Sequence, residues 1–573
     1  MRFFKKYIKK YWRPFSFAII VLTLEALCDL MQPTIMAKIV DTGVAQKNFN
    51  YILNMGLIML AVTAVGAAAA IIRNIISSHV SLNLSSDLRL DLFKKIQSLS
   101  LEGLDKFDNA SLITRLTNDI TQVQNLTNGL MRIFVKAPLL CIGSIIMAIR
   151  LNLHLSLILF IIIPLVGFII YMNLKTGYPA FLKVQKALDK LNGVMREYLS
   201  GVRVVKAFNR YEQEEIRFEN TNNSQAQTSI ASLRLMSIFG PCISLAVNTG
   251  IAAVLWFGSI QVTLGGMHVG QVMAYVNYMT QILFSLMMIS FVFTTLVRAQ
   301  ASFDRIVEIF SMEDAMVFRD GITTENKGRI DFENVSFSYK DYCGDPVIKN
   351  ISFTCMAGET LAVIGSTGSG KSTLINLIPR FYDTCSGKVL VDGMDVRDMD
   401  IKVLRGKIAL VPQKTVLFTG TILENIKWGR KNASMEEVIS AASAAQAHGF
   451  ISSFPEKYET MLGQGGVNLS GGQKQRLAIA RALIKFPEIL VLDDCTSSVD
   501  TATETSIREA LKQYFKKLTC IIVAQRITSV MDADRILVLD EGAIAGIGTH
   551  ESLMKTCKVY KDIFHSQIGR EEF

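Results

Sequence analysis

From Met55 to Ile72 the chain runs M-G-L-I-M-L-A-V-T-A-V-G-A-A-A-A-I-I without a single charge. A stretch of that length and polarity approaches the ~20 residues a helix needs to cross a hydrocarbon core. It is one of six such stretches. The spans predicted from apolar length are about Pro14–Met36, Asn54–Ser77, Ile133–Ile149, Leu153–Met172, Phe239–Leu264 and Val269–Val297. All precede Phe310. Beyond that residue, short apolar runs alternate with charged and helical ones, as in a soluble α/β domain. The overall 50% hydrophobic content therefore averages two unlike halves.

Charge sets the expected orientation. Arg2, Lys5, Lys6, Lys9, Lys10 and Arg13 precede the first span, and basic residues crowd the long loops after the second and fourth. The opposite loops are short and hold few basic residues, among them Lys47 and Arg150. By the positive-inside rule both termini and the second half are expected in the cytoplasm, with the chain in the cell (inner or plasma) membrane. The net charge of +10 thus reads as membrane topology and not as nucleic-acid binding. Nine scattered cysteines, with no C-x-x-C pair, argue against a zinc site or a disulfide framework. The loops after spans two and four keep three- and four-residue apolar spacing over Ser81–Ser100 and Val184–Glu219. The spans should continue as long helices, turning near Asp108–Thr117 and Phe208–Glu215. Glu25 and Asp29 lie four apart on one face of the first span and are possible cavity acids.

The second half carries chemistry. Gly365, Ser366, Thr367, Gly368, Ser369, Gly370, Lys371, Ser372 and Thr373 fit the phosphate-loop pattern G-x-x-x-x-G-K-[ST] between an apolar strand and a helix. Glycines let backbone N–H groups turn toward phosphates. Lys371 is placed to reach the terminal phosphates of ATP and Ser372 to ligate Mg²⁺. Further on, Leu469, Ser470, Gly471, Gly472 and Gln473 form an L-S-G-G-Q turn opening a helix, a second anion-binding element. Ile489–Leu492 is an apolar strand ending in Asp493 and Asp494. An acid at a strand's carboxyl edge can hold Mg²⁺ beside a phosphate loop.

The phosphate loop, Gln413, L-S-G-G-Q, the I-L-V-L-D-D strand and T-S-S-V-D at Thr496–Asp500 occur in the order and spacing of ATP-binding cassette (ABC) ATPases. With six spans fused ahead, the whole chain resembles an exporter-type ABC half-transporter. The resemblance implies a membrane α-helical domain (six transmembrane helices with long cytoplasmic extensions, 1–310), a linker (311–328) and an α/β P-loop ABC ATPase domain (329–573). It implies that Tyr339 stacks on adenine and that Gln413 contacts Mg²⁺ and the attacking water. Asp493 becomes the Mg²⁺-associated acid, and Ser498 and Asp500 belong to the loop after it. Ser470, Gly471 and Gly472 would meet the γ-phosphate of an ATP held by a second nucleotide domain, so a dimer is required.

Two positions depart from the family pattern. Its general base is a Glu where this chain has Asp494, and its switch residue is a His where this chain has Gln525. Asp is one methylene shorter, and an amide cannot carry an imidazolium's charge. The expectation is a degenerate site in this chain and a heterodimer whose other subunit supplies Glu and His. Its substrate would be a drug, lipid or peptide. An importer on the exporter fold, a slow homodimer and an ATP-gated regulatory protein are the alternatives. The six spans exclude a soluble ABC protein.

Overall fold

The computed structural model describes residues 2–312, 316, 328–339, 345–495, 499–514 and 518–568. It falls into two compact units, Met1–Gln97 with Asn109–Met312, and Ser98–Asp108 with Glu313–Phe573.

The first unit is all helix. Its elements are α1 (Arg2–Lys38), α2 (Phe49–Ser98), then α3 (Leu101–Asp105), which belongs to the second unit, α4 (Asn109–Thr114), α5 (Ile120–Gly129), α6 (Lys136–Leu151), α7 (Ser156–Ala207), α8 (Tyr211–Ser237), α9 (Phe239–Thr263) and α10 (Val269–Ser311). Six helices are long and apolar enough to cross a membrane. Many of their apolar side chains, among them Leu60, Ile71, Phe160, Ile161 and Trp256, are exposed on the chain itself. Large exposed apolar surface of this kind is stable only against lipid or another protein. The buried interior is centred on α10, whose Tyr275, Tyr278 and Met279 are fully enclosed. Tyr278 donates its hydroxyl to the Leu30 carbonyl at 2.7 Å, pinning α10 to α1. Small residues permit such close packing: a Cβ on Gly250 of α9 would collide with Ile162 and Met279.

The spans do continue as long helices, but the first turn lies earlier than the apolar spacing suggested. Helix α2 stops at Ser98 and the chain bends over 99–108, while 109–114 is already helical. Ser100 explains the break, because its hydroxyl caps α3 by accepting from the Gly103 N–H. The second turn, 208–210 between α7 and α8, falls where expected.

The second unit contains β1 (Ile330–Phe337), β2 (Ile348–Cys355), β3 (Thr360–Gly365), α11 (Lys371–Leu377), β4 (Ser386–Val391), β5 (Met394–Asp395), α12 (Ile401–Lys407), β6 (Ile408–Val411), β7 (Gly420–Thr421), α13 (Ile422–Lys427), α14 (Met435–Ala444), α15 (His448–Ser453), β8 (Met461–Leu462), α16 (Gly471–Leu483), β9 (Ile489–Asp493), α17 (Thr501–Tyr514), β10 (Thr519–Val523), β11 (Arg535–Asp540), β12 (Ala543–Gly548), α18 (His550–Thr556) and α19 (Lys558–Ile568). Its central sheet has the order β12-β11-β3-β10-β9-β6, parallel except for β12. Strand β9 is buried along its whole length, as a strand covered on both faces must be. An antiparallel sheet β2-β1-β4-β5 packs into one core with one face of the central sheet, and within it Phe332 and Phe353 stack at 4.7 Å.

Candidate nucleotide site

Strand order builds the site. Four neighbouring parallel strands, β3, β10, β9 and β6, end at one edge of the sheet. Residues far apart in sequence follow those ends: the phosphate loop after β3, Gln525 after β10, Asp493 and Asp494 at the end of β9, and Gln413 after β6. The carboxyl edge of a doubly wound sheet is where ligands bind.

The loop conformation demands glycine at specific points. Gly370 has φ +95°, in the left-handed region, and a Cβ there would press on Ile348 at 2.8 Å. At Gly365 an added Cβ would strike the Leu539 carbonyl. Lys371 curls back over the loop. Its ammonium donates to the Gly365 carbonyl at 2.9 Å, the Ser366 carbonyl at 2.7 Å and Ser369 Oγ at 3.4 Å. Burial holds its pKa below the usual lysine range, and among the described residues no acid forms an ion pair with it. A desolvated cation held by neutral carbonyls is a strong attractor for phosphate oxygens.

Beside it, Ser372 donates its hydroxyl to Asp493 Oδ1 at 3.3 Å. Asp493 is buried, and burial raises its carboxyl pKa. Asp494 turns away from the strand with φ +46°, while its N–H still donates to the Val523 carbonyl at 2.9 Å. Its Oδ2 accepts from two amides at once, Gln525 Nε2 at 2.9 Å and Gln413 Nε2 at 3.3 Å. Burial raises the Asp494 pKa, opposed by the Gln413 hydrogen bond. Asp494 and Gln525 are thus in direct contact, with Gln413 as the third member.

Tyr339 lies just past β1, half exposed, with its hydroxyl 3.0 Å from Thr373 Oγ1. Its ring meets Phe337 and Tyr382 edge-on, at 5.0 and 5.3 Å. The L-S-G-G-Q segment is elsewhere in the unit's architecture. Leu469 is buried, and Ser470 opens α16 with a capping box: Ser470 Oγ accepts from the Gln473 N–H at 3.3 Å, and Gln473 Oε1 accepts from the Ser470 N–H at 2.9 Å. Gly471 and Gly472 form the first turn, with Gly471 exposed. Among the described residues, no hydrogen bond joins this segment to the phosphate loop of the same chain. Asp500 caps α17, accepting from the Thr503 N–H and hydroxyl at 2.9 Å each. Ser498 lies outside the described residues.

In the helical unit, Glu25 is buried and paired. It accepts from Arg73 Nε at 2.7 Å and Lys136 Nζ at 2.6 Å, and Lys136 also reaches Asp29 Oδ2 at 2.9 Å. Sequence reasoning missed the two cations as members of a site. Arg73 closes one charge-free stretch and Lys136 opens another, so both read as span boundaries.

Residues 15–287 match the family described as the ABC transporter transmembrane region, and residues 348–497 the one described as ABC transporter. An uncharacterized ABC transporter ATP-binding protein of Bacillus subtilis (strain 168), YfiB, is 40% identical over 565 residues, which cover 99% of this chain and 98% of the relative. The chain belongs to the ABC transporters. An ATP-dependent lipid A-core flippase of Syntrophus aciditrophicus (strain SB) is 33% identical over 521 residues, covering 90% of this chain and 86% of the flippase. The structure of a bacterial Atm1-family ABC exporter with ATP bound superposes with a TM-score of 0.82 at 26% identity, covering 98% and 99% of the two chains. This ABC transporter therefore has the exporter fold, with six membrane-spanning helices and an α/β ATPase domain.

The residues fit the family's nucleotide. The loop from Gly365 to Thr373, with the half-buried Lys371 ammonium, would hold the phosphates of ATP, and the half-exposed ring of Tyr339 would be available to the base. Ser372, Gln413 and Asp493 offer oxygens for Mg²⁺. No group of three or more His, Cys, Asp or Glu among the described residues is arranged to hold a metal alone. Such a donor set suits Mg²⁺, which keeps waters and shares its ligands with phosphates.

Proposed function

We propose that this chain is one subunit of an ATP-driven exporter in which its own phosphate loop holds ATP with little turnover. Its L-S-G-G-Q completes a competent site on a different partner chain. The observation that carries this reading is the Gln413–Asp494–Gln525 contact. A general base must reach its water with a free lone pair. Asp494 is short, and one of its oxygens is already shared by two amides. Gln525 donates to Asp494, and it has no ionised state with which to stabilise charge developing on a phosphoryl group. A homodimer would repeat both departures in both sites.

Ser470 supports the cross-chain part. It stands exposed at the start of α16, where its hydroxyl and the following N–H groups can face a second subunit. Positive-inside charge supports a cytoplasmic ATPase domain. For the cargo, the flippase relatives favour a lipid or other amphiphile over a soluble drug or peptide. The test is ATPase activity of the purified chain alone and together with a half-transporter bearing Glu and His. Little turnover alone and restored turnover in the pair is the expected result. Several turnovers per second from the isolated chain would refute the heterodimer.

A further inference from the structure

Helix α19 turns one stripe inward. Tyr560 is fully buried, and Ile563 and Phe564 pack with it against the core that holds Ala524 and Ile527. The Tyr560 hydroxyl lies 2.7 Å from His550 Nδ1, which ties the helix to α18. Gln567 continues that stripe, three residues after Phe564 and four after Ile563. One more apolar side chain would extend the stripe, and the chain has an amide there. That amide meets backbone on both sides: its Oε1 accepts from the Ile527 N–H and its Nε2 donates to the Gln525 carbonyl, each at 2.7 Å.

Both backbone groups lie where the sheet has ended. Gln525 is two residues past β10. Ile527 opens a short 3-10 turn, Ile527–Ser529, for which Arg526 supplies no side-chain cap. The first N–H groups of a helical turn lack partners within it and need one from outside. A single side chain that closes on the carbonyl of Gln525 and the N–H of Ile527 fixes the backbone angles between them. Those angles set the direction in which the Gln525 side chain leaves the chain. It leaves beside β3, whose end carries the phosphate loop, and its Nε2 donates to Asp494 Oδ2 at 2.9 Å. Gln567 is itself exposed, so water competes for its bonds and they add little to stability. What the two-point contact supplies is direction.

We propose that Gln567 is a positioning residue of this chain's nucleotide site. It holds the backbone of 525–527 so that the Gln525 amide stays beside Asp494, available to the γ-phosphate of a bound nucleotide. This deepens the proposed function and rests on the reading that this chain's own phosphate loop holds ATP; it adds α19 to that site.

The test is equilibrium binding of ADP and of the non-hydrolysable ATP analogue AMP-PNP, each with Mg²⁺, to the full chain in nanodiscs. The readout is the ratio of the two affinities, because only the analogue carries a γ-phosphoryl group. Gln525→Ala should lower the ratio about tenfold, the weight of one hydrogen bond to a charged group. Gln567→Met keeps the length of the side chain and loses both bonds. It should lower the ratio at least about threefold and leave ADP affinity and the unfolding temperature at the parent's values. Added to Gln525→Ala, it should do nothing further, because it acts only through Gln525. The isosteric Gln567→Glu sets a carboxylate against the Gln525 carbonyl and should lower the ratio comparably, which keeps the test decisive if Met disturbs the packing of α19. An unchanged ratio in both Gln567 variants would overturn the proposal. So would equal losses of ADP and analogue affinity, which would make Gln567 a structural clamp, or full additivity with Gln525→Ala. Several turnovers per second from the parent chain, with the ratio still dependent on Gln567, would refute the low-turnover reading alone. No binding of either nucleotide by the parent would overturn both.

Discussion

The Tyr382 hydroxyl donates to Asp105 Oδ2 at 2.7 Å, joining α3 to the aromatic cluster that contains Tyr339. Burial and the Asp105 carboxylate together push the Tyr382 pKa far up, so the phenol remains a donor at any physiological pH. Tyr382→Phe keeps the ring beside Tyr339 and removes the bond. ATP affinity should stay within about threefold, while stimulation of ATPase by cargo should fall. A double-mutant cycle with Asp105→Asn should give a coupling of about 1 kcal/mol. Additive effects of the two changes would show that the bond transmits nothing.

At the base position, Asp494→Ala should change turnover of the assembled complex by less than about threefold. The matching Glu→Ala in the partner should cost ~10²–10⁴-fold, the usual weight of a general base. Single-turnover assays on the complex separate the two sites. A hundredfold loss from Asp494→Ala would make this chain's own site catalytic.

Ser470→Arg should nearly abolish hydrolysis by blocking closure over the partner's nucleotide. Because Ser470 also caps α16, the control is Ser470→Ala, which loses the cap at about 1 kcal/mol but adds no bulk. Near-normal turnover in Ser470→Arg would end the cross-chain assignment.

Lys371→Met separates fold from ligand. Folding lowers the Lys371 pKa by burial, so the protonated ammonium opposes folding at neutral pH, and the opposition fades as pH rises from the lowered value to the ordinary lysine value. The variant should therefore unfold at the same or a slightly higher temperature than the parent. It should lose the further rise that added ATP gives. Calorimetric scans with and without ATP check both signs. A large drop in the unfolding temperature without ATP would mean that the loop contacts of Lys371 are structural.

Much was legible in the residues alone. Apolar length and loop charge marked the spans, because lipid tolerates little else. The phosphate loop and L-S-G-G-Q were readable because glycine spacing encodes backbone geometry directly. Asp494 and Gln525 stood out as two separate departures from what the resemblance implies. What sequence could not supply was adjacency. Gln413, Asp494 and Gln525 meet only because β6, β9 and β10 lie side by side with their carboxyl ends together. The first inner turn was misplaced because apolar spacing runs through it, and a single capping serine decides where the helix stops. Glu25 and Asp29 stood out as acids within a span, but their partners looked like span ends. Helix packing alone brings Arg73 and Lys136 onto them. Local chemistry is written in the order of residues, whereas which charges cancel is settled by the three-dimensional packing of helices distant in sequence.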